Sequence, residues 1–287
     1  MSISTRALST RILSTQALST HTPDNKALST HTPGSRALST RAPSSGPAAG
    51  LVGTLAAAAT VLTHPFPATT TFGPVRNRVL PGLAARGADE HVALTFDDGP
   101  DPNSTPRFLD LLAARGVHAT FFLLGSMAER APGLVREIQA AGHEIGVHGW
   151  HHRSLLFRGP RATDQDLTRA RDYLADLTGG QPTLFRPPYG VMTTAAHRTA
   201  RRLKLRPTLW TSWGEDWTGR ATPGSVYRQV TKDLHGGGTI LLHDTDCTAK
   251  PGSWHNTLGA VPLLLDHCEE RGWSVGPLRE HGRVAGP

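Results

Sequence analysis

From His91 onward the sequence alternates short apolar runs with segments of helical periodicity, and this alternation restricts the chain to a repeated β-α architecture. His91–Phe96 (HVALTF) reads as a buried strand. Ser104-Thr105-Pro106 then offers a helix cap with proline at an early helical position. Phe108, Leu111 and Leu112 form that helix's apolar face, and Gly116 stops it. Ala119–Leu124 is the next strand; Leu134, Val135 and Ile138 mark a helix that ends at Gly142, and Glu144–His148 follows as a third strand. A helix carrying Leu167, Ala170, Leu174 and Leu177 is expected behind a Thr163-x-x-Asp166 cap, with a short strand at Thr183–Phe185 running into the Pro187-Pro188 break. Beyond it come a helix near 193–204, a strand near 207–210, a helix near 225–234, the strand Thr239–His243, a helix near 258–271 and a last strand at Trp273–Val275. About seven parallel strands with trailing helices fit a distorted or partly open (β/α) barrel, although periodicity by itself does not separate this from a two-sided open sheet.

The chain divides into three parts. Residues 1–48 repeat ALST, beginning at Ala7, Ala17, Ala27 and Ala37, with a main period of ten. Such Ser-, Thr-, Ala- and Pro-rich sequence lacks the bulky apolar residues that offset chain entropy, so a disordered tail is expected. Residues 49–88 hold the apolar run Leu51–Leu62, too short to span a bilayer and read as a helix packed outside the domain, followed by a Pro- and Thr-rich linker. Residues 89–281 are expected to form a single folded domain. With 287 residues and 38% hydrophobic content, one barrel-sized domain uses most of the available core. The net charge of +7 is misleading for function: residues 1–50 contribute +4 of it, leaving the globular part mildly basic. No block of five or more like charges and no interleaving of aromatics with Lys or Arg is present, which argues against nucleic-acid binding. Cys247 and Cys268 make neither a disulfide framework nor a CxxC site; one bridge is conceivable, and two separate thiols are the preferred reading.

Unusual polar residues fall at the C-terminal ends of the strands, where barrel enzymes assemble their sites. Asp97-Asp98-Gly99-Pro100 ends the first, His148 closes the third with His152 four residues on, and Arg186 follows the fourth. Asp216 lies beyond the fifth and His243 closes the sixth. Histidines at i and i+4 share one face of a helical turn and can ligate one metal with a carboxylate. His-x-x-x-His also arises by chance among 15 histidines, and His151 is an adjacent decoy. The double Asp is harder to dismiss: two adjacent carboxylates after an apolar strand repel each other and call for a cation or a raised pKa. The plain alternative is an Asp-Gly turn with one solvated carboxylate.

The segments Thr95-Phe96-Asp97-Asp98-Gly99-Pro100, His148-Gly149-Trp150-His151-His152, Arg186-Pro187-Pro188-Tyr189-Gly190, Asp216-Trp217 and Leu241-Leu242-His243 resemble, in order, the five motifs of the polysaccharide deacetylases, also called the NodB-homology family or carbohydrate esterase family 4. The resemblance covers roughly His91 to Arg279. It implies a distorted (β/α) barrel and removal of acetyl from an N- or O-acetylated oligo- or polysaccharide. A divalent metal goes with it, zinc first, with cobalt, nickel or iron as alternatives. By motif position it implies Asp98, His148 and His152 as metal ligands, Asp97 as general base and His243 as general acid. Arg186 would orient Asp97, and Asp216 would raise the pKa of His243. It also implies the Tyr189 backbone N–H as an oxyanion donor, with Trp217 and Leu241 lining the acetyl pocket and groove. Departures from the family pattern are Gly149, Arg153 and Trp213, the last standing where an Asp is common, so the groove wall is expected to differ. Glu215, Asp244 and Asp246 are candidates for substrate contact, with a solvated loop role preferred, and His143 is taken as structural. A non-catalytic sugar-binding module and an amidohydrolase for a small non-sugar amide are the competing functions. The family's polymers usually lie outside the membrane, whereas no export signal is recognisable in this N-terminus.

Overall fold

The computed structural model describes His64 and residues 81–282; the expectations for residues 1–48 and for the Leu51–Leu62 helix lie outside the described residues. Eight strands form one sheet: β1 (His91–Asp97), β2 (Thr120–Leu123), β3 (Glu144–Val147), β4 (Leu184–Phe185), β5 (Arg206–Pro207), β6 (Ser212–Trp213), β7 (Thr239–His243) and β8 (Ser274–Gly276). Among the described residues seven α-helices accompany them: α1 (Thr105–Ala114), α2 (Gly125–Arg130), α3 (Pro132–Ala140), α4 (Pro160–Thr178), α5 (Thr194–Arg202), α6 (Pro223–Asp233) and α7 (Trp254–Glu270). The strand order is β5-β4-β3-β2-β1-β7-β6, every pairing is parallel, and β8 pairs with the first residues of β1.

That order forces the sheet to curl. The outermost strands, β5 and β6, are consecutive in sequence, and the chain from Pro207 to Ser212 can reach at most about 18 Å. Laid flat, seven strands would hold those edges about 29 Å apart. The sheet therefore bends into a barrel with a seam between β5 and β6, across which the described residues form no ladder. Parallel strands also explain the burial of all seven β1 residues, since both faces of such a sheet are covered. The outer core lies between sheet and helices; there the Phe96 ring sits 5.2 Å from Phe108 and 5.1 Å from Phe121. The inner core is small: Ala93, Phe122, Leu184 and Leu278.

The seam is filled by polar contacts. Leu209 N–H donates to the Leu83 carbonyl in the 3-10 turn Pro81–Ala84 (2.9 Å). The guanidinium of Arg186, fully buried, donates to the carbonyls of Thr208 (3.3 Å) and Leu209 (2.8 Å), to the Thr95 hydroxyl (2.7 Å) and to Asp97 Oδ1 (2.7 Å). It lies 4.1 Å from the Phe122 ring centre. A cation removed from water at this depth needs acceptors, and Arg186 has four for its five N–H groups.

Three local expectations are corrected. The strand expected near 207–210 divides into β5 and β6 because residues 208–211 cross the seam instead of continuing a ladder. Helix α4 begins at Pro160, so Thr163 and Asp166 lie inside it; the Asp166 carboxylate instead accepts the backbone N–H of Trp150 (2.8 Å). Ser104 occupies the N-cap position of α1 without capping it; the Asn103 N–H goes to Asp101 Oδ1 (2.8 Å).

Replacing Arg186 with Ala leaves a buried carboxylate and two seam carbonyls without a donor. The expected outcome is a loss of about 3–5 kcal/mol in unfolding free energy by chemical denaturation.

Candidate active site

Strand register brings the chemistry together. Asp97 pairs with His243 across β1 and β7 and with Phe122 across β1 and β2, so the last inward-facing residue of the central strand stands beside the last residue of β7. Asp98 follows immediately, turned by a left-handed backbone (φ 77°). His148 leaves β3 one position beyond the ladder, its N–H on the Leu123 carbonyl (2.9 Å), and Arg186 leaves β4 in the same way with its N–H on the Val147 carbonyl (2.9 Å). All four lie at the carboxyl ends of parallel strands.

Asp98, His148 and His152 offer ligand atoms that all lie within 4.8 Å of one another. Asp98 Oδ1 is 3.2 Å from His148 Nε2 and 3.5 Å from His152 Nε2. The Nδ1–H of His148 donates to the Arg186 carbonyl (2.8 Å), which leaves Nε2 facing Asp98. Asp98 Oδ1 is buried without a hydrogen-bond donor, while the Thr248 hydroxyl donates to Oδ2. A buried carboxylate oxygen without a donor, aimed at two imidazole nitrogens, is the arrangement a divalent cation satisfies, so these residues fit one. Burial by itself would raise the Asp98 carboxyl, but His148, His243 and His152 outweigh it and hold it well below the usual range. Burial outweighs the opposing pull of Asp98 and pushes His152 down to about 4, keeping its ring neutral at pH 7.

The i, i+4 histidines do not lie on a helical turn. Gly149 adopts φ 92°, the segment bends, and the Trp150 N–H is fixed by Asp166. A side chain at 149 would adopt a strained backbone and bring its Cβ to 3.0 Å from the Asp166 carboxylate, which gives a physical reason for glycine at this departure from the family pattern.

On one side of the cluster Arg186 grips Asp97. On the other, Asp216 accepts the His243 Nδ1–H (3.0 Å) and its backbone N–H (2.7 Å), and Thr257 donates to the same carboxylate (2.8 Å). Burial would lower His243, but Asp216 first, then Asp98 and Asp97, push it up to about 10. Its imidazole is therefore cationic at neutral pH, with Nε2 left to face the site. Trp217 meets His243 edge-on at 5.5 Å, Leu241 is nearly buried on the same face of β7, and Tyr189, at φ 59°, is 60% exposed with its ring 4.4 Å from His152.

The solvated loop role expected for Asp244 is wrong. It is fully buried, accepts from Thr105 and is pushed up to about 7 by burial; its carboxylate packs so closely on Gly99 that a Cβ there would lie 2.7 Å from it. Asp246 accepts the Gly252 N–H, and Glu215 is exposed. His143 is internal, its Nδ1 accepting the Ala119 N–H (3.1 Å). Cys247 and Cys268 are free. Thr95, Thr248 and Thr257, which hold Arg186, Asp98 and Asp216, carry no sequence signal, because a threonine is recognised as a partner only when the fold supplies what it touches. No helix among the described residues is long and apolar enough to cross a membrane.

A parallel barrel with a held carboxylate, a held imidazolium and a cation-type cluster at its C-terminal rim defines a class, the barrel hydrolases. The family model for polysaccharide deacetylase matches residues 84–208. The peptidoglycan-N-acetylglucosamine deacetylase of Bacillus cereus is 37% identical over 184 residues, 63% of this chain and 83% of that protein. The chitooligosaccharide deacetylase of Azorhizobium caulinodans is 30% identical over 206 residues, 69% of this chain and 98% of that one. The solved structure of a family 4 carbohydrate esterase from Streptomyces lividans in complex with acetate superposes with a TM-score of 0.60 at 29% identity, covering 70% of this chain and all of that one. The chain belongs to the polysaccharide deacetylase family and is a hydrolase of that type.

Two outcomes are expected. The unaltered protein is expected to carry a divalent metal by elemental analysis, and the Asp98→Ala and His148→Ala proteins to lack it. In Asp216→Asn the His243 imidazole, followed by NMR, loses its proton about 1–3 pH units lower, because the largest influence raising its pKa has gone.

Proposed function

We propose that this protein removes acetyl groups from the nitrogen of an acetylated sugar chain, releasing acetate and a free amine, with a zinc ion held by Asp98, His148 and His152. The observation that carries this reading is the donorless Asp98 Oδ1 among histidine nitrogens, flanked by a carboxylate locked to arginine and an imidazolium locked to aspartate. Two nitrogens and one carboxylate oxygen are a zinc donor set with coordination positions to spare; cobalt, nickel and iron accept the same donors. When bound, the ion supplies a Lewis acid that polarises the acetyl carbonyl and acidifies water.

The side chains account for the remaining steps. Asp97 takes a proton from the water that adds to the carbonyl carbon, and Arg186 keeps that carboxylate aimed. The developing oxyanion meets the backbone N–H of Tyr189, which the Pro187-Pro188 pair presents at the rim. As the carbon–nitrogen bond breaks, His243 gives its Nε2 proton to the leaving nitrogen. An amine needs that proton far more than an alkoxide does, which is the chemical reason for raising the His243 pKa through Asp216. The relatives in Bacillus cereus and Azorhizobium caulinodans, named for N-acetylglucosamine in peptidoglycan and for chitooligosaccharide, support an N-acetylated sugar polymer as the substrate class.

Acetate release from chitooligosaccharides, peptidoglycan and acetylated xylan, measured together with metal content, tests the reading. Asp97→Asn and His243→Ala are expected to keep the metal and to lose activity by about 10²–10⁴-fold. Full activity in Asp97→Asn would defeat the mechanism, and failure of the unaltered protein on every sugar would defeat the substrate.

A further inference from the structure

Trp213, which stands at a position where the family commonly has a short acid, is 36% exposed at the edge of the barrel's seam. Its strand fixes which way it faces. The neighbouring Ser212 hydroxyl bonds to the Val230 carbonyl in α6 (2.5 Å), on the helix side. Alternation then puts Trp213 on the inner face, paired in register with Leu241, itself paired with Thr95 beneath Asp97. The indole stacks on Trp210 (6.1 Å between ring centres, 24° between planes) and lies 5.2 Å from Trp217, which in turn meets His243. At its other end Trp210 packs so closely on Gly190 that a Cβ there would approach the indole to 2.7 Å. Three indoles thus form an unbroken arc from the Tyr189-Gly190 turn, along the seam, to the acid His243. The edge strands β5 and β6 are two residues each, so no ladder covers this arc.

We infer that Trp213, backed by Trp210 and flanked by Trp217, is a binding platform for a second pyranose ring of the substrate chain, next to the ring being deacetylated. The inference rests on the proposed sugar deacetylation. A gluco-configured pyranose has a flat face of axial C–H groups that covers an indole while its hydroxyls stay at the ring edge in water, so an exposed tryptophan beside a hydrophilic site matches it. Aspartate there would hydrogen-bond a hydroxyl but offer no apolar face. The platform makes chain length, rather than the single acetylated sugar, the basis of selection.

The test compares kcat/KM on chitopentaose and on monomeric N-acetylglucosamine for the unaltered protein, Trp213→Ala and Trp213→Phe. The expected result is that the pentamer-to-monomer ratio falls about tenfold or more in Trp213→Ala and stays within about threefold in Trp213→Phe, which keeps an aromatic face. An unchanged ratio in Trp213→Ala, or an equal fall on both substrates, overturns the platform. Chitopentaose binding is read separately, as quenching of tryptophan fluorescence in the Asp97→Asn background with and without Trp213→Ala. Binding lost with the indole supports the platform even if no sugar is ever deacetylated, a result that would sink only the proposed reaction. Binding equal in the two proteins, or absent from both, removes the platform.

Discussion

The buried contact between Arg186 and Asp97 ties the barrel to its chemistry. A guanidinium in a protein interior is tolerable only when it is well supplied with acceptors. Here four partners come from two places at once: the Asp97 carboxylate and Thr95 hydroxyl on the central strand, and the carbonyls of Thr208 and Leu209 in the four residues that cross the seam. An open seam in a parallel barrel leaves irregular backbone facing inward, and such carbonyls need donors. Arg186 supplies them and in the same act fixes the carboxylate proposed as base. Its main chain contributes as well, since the Arg186 carbonyl takes the His148 Nδ1–H and so turns Nε2 toward Asp98. One residue thereby sets the orientation of a base and of a metal-type ligand.

Opposing electrostatic environments a few ångströms apart follow from that arrangement. Asp98 is held ionised chiefly by His148 and His243, His152 is kept neutral by burial, and His243 is kept protonated by Asp216. Like groups thus acquire different protonation states from their neighbours alone. The backbone bears part of the cost: Asp98, Tyr189 and Glu215, all at the rim, adopt left-handed conformations that cost about 1–3 kcal/mol each and persist because the surrounding ladder and loops over-determine them.

Much of this was legible in the residue order. Runs such as HVALTF and TILLH are apolar on both faces, so a parallel sheet covered on both sides follows from their composition, and a polar residue ending such a run marks the rim of the barrel. The motif residues were legible for the same reason, being charged or ligating groups in places where strand composition gives them no structural excuse. Asp244 was misread because a lone Asp after a strand looks solvated, and only the packing of Gly99 and Thr105 around it makes it internal. The His148–His152 pair was placed on the wrong local geometry, since a four-residue spacing suits a helical turn until Gly149 and the Asp166 contact bend it.

By itself, then, the sequence determined the strand–helix alternation, the parallel sheet and the identity of the groups at its C-terminal rim, because these depend on local periodicity and on residue chemistry. Tertiary structure alone decided the seam, the threonine partners of Arg186, Asp98 and Asp216, and the joining of Trp210, Trp213 and Trp217 into one aromatic arc. These are contacts between residues distant in sequence, or side-chain directions set by strand register. A hydroxyl or an indole carries no mark of its partner until the sheet has curled to bring the partner within reach.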